Sequence, residues 1–148
     1  MNFRRCIVQT LVSFVIVMSC AIYGVGAECD DVMSSALAIK DAIVSNDVAT
    51  LTRFFANVIW FVDDRYDKKE LVELLSDKNS WLYKDIFGEN DSLRTYLANA
   101  SDVKIIIHED SEFYLVVFSS PSSSRSMPPN MNLICKGGRL YITNMDEF

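Results

Sequence analysis

A single histidine, His108, is all that these 148 residues offer for imidazole chemistry. A Ser–His–Asp or Cys–His system would have to be built on it, as would a histidine-based zinc site. It follows a run of β-branched residues and stands beside Glu109-Asp110. That is the setting of an ordinary surface histidine, whose neighbouring carboxylates favour its charged form. Acid pairs are equally unpromising. Asp63-Asp64 and Glu109-Asp110 are adjacent residues, and neighbours on a strand point to opposite faces. Asp63-Asp64-Arg65-Tyr66-Asp67 lacks the glycine and the closing glutamate of a calcium loop. No internal repeat is present. No catalytic, metal or cofactor motif remains, so the sequence names no reaction.

Basic residues are also scarce, 14 against 20 acidic. Arg4 and Arg5 belong to a different part of the argument. From Cys6 to Ala27 there is no charge, and Ile7, Val8, Leu11, Val12, Phe14, Val15, Ile16, Val17 and Met18 dominate the first part of that run. Val25-Gly26-Ala27 closes it with small residues. A positive start, an apolar middle and a small-x-small end are the three parts of a secretory signal, expected over residues 1–27. An uncleaved anchor is the alternative, since the stretch approaches the roughly 20 residues that span a bilayer. Lipidation at Cys20 is a third reading, because Val17-Met18-Ser19-Cys20 loosely resembles a bacterial lipobox. Without the signal, residues 28–148 carry 12 basic and 20 acidic side chains, a net charge of −8. Nucleic acids and anionic membranes demand clustered Lys and Arg, so neither is an expected partner.

Cysteine is sparse as well. Of four, Cys6 and Cys20 leave with the signal, and Cys29 and Cys135 remain. In an oxidising compartment they have one possible intramolecular pairing, which would close nearly the whole mature chain. Two unpaired thiols, with Cys135 as a small core residue, are the alternative.

What is present is one domain's worth of alternating helix and strand signals, over residues 28–148. Ala36, Leu37, Ile39, Ala42, Ile43 and Val44 follow a 3.6 period, which predicts a helix from Asp31 to Val44. A second is expected from Val48 to Phe55. Val58 to Val62 reads as a strand ending at Asp63-Asp64. Asp67 with Glu70 resembles a capping box for a helix from Lys68 to Leu75. Ser80 caps a turn of helix stopped by Gly88, and Asp91 or Ser92 caps another through Leu93 and Leu97. Val103–His108 and Phe113–Phe118 read as antiparallel strands. Ser119 to Asn130, with Pro121, Pro128 and Pro129, is a long polar loop. Asn90-Asp91-Ser92 and Asn99-Ala100-Ser101 match the glycosylation sequon, which matters only in a eukaryotic host.

The closing segment permits a sharper prediction. Gly137-Gly138 supplies the positive φ angles of a two-residue hairpin turn. Pairing Lys136 with Arg139 puts Cys135 opposite Leu140 and Leu133 opposite Ile142, all on one face. Cys135 then points into the core, and the first helix lies across that face. Lys136 facing Arg139 is the weak point, a like-charge pair.

Helices, a strand, short helices and then antiparallel strands make an α+β pattern. That order resembles small cone-shaped NTF2-like or cystatin-like domains, in which a curved antiparallel sheet, here of about four to five strands, wraps the N-terminal helices. Trp81-Leu82-Tyr83 through Phe87, Ser92-Leu93-Arg94, and Leu133 through Ile142 are similar to segments of uncharacterised exported bacterial proteins. The expected function is that of a non-enzymatic, cofactor-free binding protein of the cell envelope, periplasmic or secreted: an inhibitor, an immunity-type protein or an accessory protein steered onto a basic partner by its acidic charge. A cavity protein is the alternative, acting as a small enzyme or apolar-ligand carrier, with Trp60, Tyr83, Tyr96 and Tyr114 lining the pocket. A secreted effector is the third. The remaining reading of the aromatics is that they fill the core.

Overall fold

The computed structural model describes residues 29, 31–107, 112–121 and 128–146. The expected signal, His108 and residues 122–127 of the proline-bearing loop lie outside the described residues. Element order is α1 (Val32–Val44), α2 (Val48–Leu51), a 3-10 turn (Thr52–Phe54), β1 (Phe55–Phe61), β2 (Asp64–Asp67), α3 (Lys68–Ser76), α4 (Trp81–Phe87), α5 (Leu93–Ala98), β3 (Asp102–Ile107), β4 (Phe113–Ser119), β5 (Asn130–Lys136) and β6 (Arg139–Asp146). The strands form one sheet in the order β2-β1-β6-β5-β4-β3. Helices pack on one of its faces, so the architecture is α+β as expected. There are six strands where four to five were expected. The β1–β6 pair is parallel where an antiparallel sheet was expected.

Local chemistry explains the helices. Asp31, Asp47, Asp67, Ser80 and Ser92 each accept a backbone N–H from the first turn they cap. Each satisfies a donor that the helix start would otherwise leave orphaned. Hydrogen bonds to the carboxylates of Asp31 and Asp47, from Ser34 and Thr50 above all, hold both below the ordinary value of 3.8. Gly88 ends α4 at an ordinary φ of −56°. A Cβ there would collide with the carbonyl oxygen of Lys84, so close approach, and not a left-handed turn, requires this glycine.

Four boundaries differ from expectation. The second helix is a single turn followed by a 3-10 turn, and Phe55 opens β1 because it pairs with the distant Ile142. Asp63-Asp64 does not end the strand system. Phe61 pairs with Asp64 across a two-residue turn, and β2 returns from there. The turn has φ +56° at Val62, where primed turns place glycine. A β-branched residue there is an outlier, and the sequence therefore hides the hairpin. β5 begins earlier than expected, at Asn130.

The closing hairpin has the predicted register. Lys136 pairs with Arg139, Cys135 with Leu140 and Leu133 with Ile142, across Gly137 and Gly138 at φ +60° and +75°. The ladder then shifts between Asn132 and Leu133. Thr143 is the extra residue, a β-bulge. Strict alternation after Ile142 would turn Asn144 into the core and Met145 out of it. The bulge reverses this, and Met145 is 1% exposed.

Cys29 and Cys135 form a disulfide, with Cα atoms 5.8 Å apart and a sequence separation of 106. It ties the start of α1 to the end of β5, the connection expected. α1 buries Ala36, Ile39, Ala42 and Ile43. The layer between helices and sheet is filled by fully buried side chains including Leu51, Ile59, Leu97, Val116 and Phe118. Among the described residues, no helix is long and apolar enough to cross a membrane.

Candidate functional site

The strand ladders separate the two faces of the sheet. On the helix side, Ile107, Tyr114, Leu133, Ile142 and Phe55 are direct cross-strand neighbours. On the other side an unbroken row crosses all six strands: Ile106, Leu115, Asn132, Asn144, Trp60 and Arg65. A second row beside it holds Phe113, Ile134 and Tyr141. Trp60 is 50% exposed, Ile106 48% and Phe113 43%. Ile106 and Phe113 stand on neighbouring strands, and Trp60 stands four strands from Ile106 with Asn144 and Asn132 between them; exposed apolar side chains on one sheet face are candidates for contact with a partner.

Beside Trp60, the side chain of Asn144 donates to Asp146 at 2.7 Å. Its Oδ1 is buried with no hydrogen-bond partner. An unsatisfied buried acceptor costs about 1–3 kcal/mol. Together with Val62 at positive φ, two residues beyond Trp60, this part of the face gives up stability that the rest of the domain must supply.

The same face is split. Phe55 pairs with Ile142, but the next β1 residue to pair with β6 is Trp60, opposite Asn144. β1 thus spends five residues where β6 spends two, and Ala56 and Asn57 have no cross-strand partner. The gap is a groove of about 590 Å³ lined by Phe55, Ala56, Asn57, Val58, Lys68, Ile134, Lys136, Tyr141 and Thr143. The Lys68 ammonium donates to the Phe55 carbonyl at 3.2 Å at its edge. The Thr143 hydroxyl donates to the Asn132 carbonyl at 3.2 Å.

The four aromatics expected to line one pocket are spread over both faces. Trp60 is on the uncovered face and Tyr114 on the helix face. The Tyr83 hydroxyl is bonded to the Asn46 side-chain amide at 2.9 Å. The Tyr96 hydroxyl bridges the end of β4, donating to the Phe118 carbonyl at 3.1 Å and accepting from the Ser120 N–H at 3.2 Å. None of the four lines the groove. Alternation within β1 could have suggested that Trp60 opposes Ile59 and Phe61, but the groove depends on the β1–β6 register, which no local pattern carries. Asp63 and Asp64 are both exposed at the β1–β2 turn. Ser92, the third residue of one sequon, is 1% exposed and employed as a helix cap. Burial and the Asp64 carboxylate push the Tyr66 phenol above its ordinary value. Trp81 shields that side, edge-on to Phe61 at 5.8 Å between ring centroids. Among the described residues no group of three or more His, Cys, Asp or Glu is placed to share a metal ion.

No family model matches the chain, and no curated protein matches it. Solved structures do. A DUF3225-family protein of Pectobacterium atrosepticum superposes with a TM-score of 0.48 at 15% identity, over 79% of this chain and 89% of that one. An NTF-2-like protein of unknown function from Shewanella oneidensis gives 0.46 at 11% identity, over 78% and 94%. A protein of cystatin-like fold from Nostoc punctiforme gives 0.41 at 13% identity, over 80% and 95%. These are the two fold types that the sequence resembles, and the likeness is one of fold.

Proposed function

We propose that this chain is a small exported binding protein, without catalysis of its own, that takes a basic protein partner of the envelope or exterior on its uncovered sheet face. An inhibitor, an immunity-type protein and an accessory protein all fit this description. The observation that carries the reading is the six-strand row from Ile106 to Arg65, in which Ile106 and Trp60 are both about half exposed. A half-exposed tryptophan between Arg65 and Asn144 on a sheet face is the kind of anchor that dominates protein interfaces. The net charge of −8 over residues 28–148 supports a basic partner through long-range steering. The disulfide supports a compartment outside the reducing cytosol.

Immobilised, oxidised protein challenged with envelope extract tests the proposal. A basic protein should be retained stoichiometrically by the native chain and by Leu37→Ala, a change at an exposed position on α1. Trp60→Ala should weaken that retention by about 30-fold or more, the scale of an interface hot spot. Failure to retain any basic partner, or equal retention by Trp60→Ala, overturns the reading.

A further inference from the structure

We infer that the split between β1 and β6 is a second binding site, for a small amphiphile with an anionic head, carboxylate or phosphate monoester, and an unbranched apolar body. The site is built, and three features define its ligand. First, the opening is made by the backbone. Ala56 and Asn57 have left the ladder, and Tyr141 and Thr143 of β6 with Ile134 of β5 form the opposite wall. Its volume of about 590 Å³ falls within the range of small-molecule sites. Second, the walls are mixed in a particular way. Phe55, Ala56, Val58 and Ile134 supply apolar surface, and Asn57, Tyr141 and Thr143 supply neutral polar groups.

Third, among the described residues the charged ones in the lining are Lys68 and Lys136. In a domain with 20 acidic residues against 12 basic, a groove whose charges are all positive selects by sign. Neither ammonium has a carboxylate within ion-pair distance among the described residues, where the pair found is Lys69–Glu73. Lys68 uses one of its three donors on the Phe55 carbonyl and keeps two for a ligand. Lys136 faces Arg139 across the hairpin, so an anion near it would relieve a like-charge pair. An apolar tail lying along Val58 and Ile134, with its head between the lysines, uses every kind of group present. Trp60 lies two residues beyond Val58, about 7 Å along the strand, so this site is adjacent to the proposed partner surface and separable from it.

The test is titration of the oxidised, isotope-labelled protein with decanoate, decyl phosphate and decyltrimethylammonium, followed by backbone amide shifts. Decanoate or decyl phosphate should shift the amides of Asn57, Val58, Tyr141 and Thr143, and the tighter of the two identifies the head group. The cationic amphiphile should bind at least about tenfold more weakly, since the same tail then brings a head of the wrong sign to the lysines. Lys136→Gln, which removes a like-charge neighbour and so preserves the hairpin, should weaken anion binding about three- to tenfold, as the loss of one partly exposed ion pair. Equal affinity for all three amphiphiles, shifts confined to the Trp60–Ile106 row, or unchanged binding by Lys136→Gln overturns the inference. Trp60→Ala should leave decanoate binding intact, so failure of the partner proposal and failure of this one read out separately.

Discussion

Removing the Cys29–Cys135 bond should cost this domain a large part of its stability. The bond closes a loop of 106 residues within the 121 residues from 28 to 148. Loop-closure entropy puts the effect of restricting the unfolded chain at about 4.8 kcal/mol at 25 °C. A domain of this length has a total stability of roughly 6–18 kcal/mol, so the cross-link supplies a quarter or more of it. Cys29 and Cys135 are half-buried against the core, so Ala is the better replacement, leaving no hydroxyl to satisfy. Urea unfolding of the Cys29→Ala/Cys135→Ala double variant, followed by circular dichroism, measures the loss. With a slope of about 2 kcal/mol per molar urea, the midpoint should fall by about 2–2.5 M. The native protein measured in reductant should match the variant. A loss under about 1 kcal/mol with both preparations would refute the reasoning, because the unfolded chain would then already hold its ends together without the bond.

Val62→Gly should stabilise the fold by about 0.5–1 kcal/mol, since relief of a left-handed valine exceeds the entropic cost of glycine; an unchanged or lower thermal midpoint contradicts this. Gly88→Ala should destabilise by about 1–3 kcal/mol through overpacking against the Lys84 carbonyl, the reverse of what an ordinary φ suggests, and calorimetry decides the sign. Ile39→Ala, at a fully buried position of α1, should cost about 2–5 kcal/mol in urea unfolding. The caps make acid unfolding predictable in sign. Asp31 and Asp47 titrate below 3.8 when folded, so their contribution is complete above the unfolded value and is lost as pH falls through the folded one. Asp47→Asn keeps an acceptor for the Thr50 N–H but does not titrate, so its urea midpoint should fall less than the native one between pH 6 and about pH 3. An equal fall in both removes Asp47 from that account.

Most of the helices were legible because their signals are local. A 3.6 period gave α1, and a capping side chain followed by an apolar turn gave α3, α4 and α5 within a residue or two. The β5–β6 hairpin was legible for the same reason, since two glycines set the turn and the turn sets the register. β2 was missed because Val62 stands where glycine is expected. Phe55 was assigned to a helix because its pairing with Ile142 joins residues 87 apart in sequence. The four aromatics were grouped by type, whereas the sheet divides Trp60 from Tyr114 by face.

By itself the sequence determined the α+β class, the helix starts and the closing hairpin, because caps and turns act over a few residues; the Cys29–Cys135 bond was one of two readings it left open, and the structure has it. Tertiary structure alone decided the parallel β1–β6 pair, the split between those strands, the Thr143 bulge that turns Met145 inward, and the uncovered face on which Trp60 stands. Those features are differences of register between strands distant along the chain. Register is fixed by which side chains the helices bury, a collective outcome that no single segment encodes.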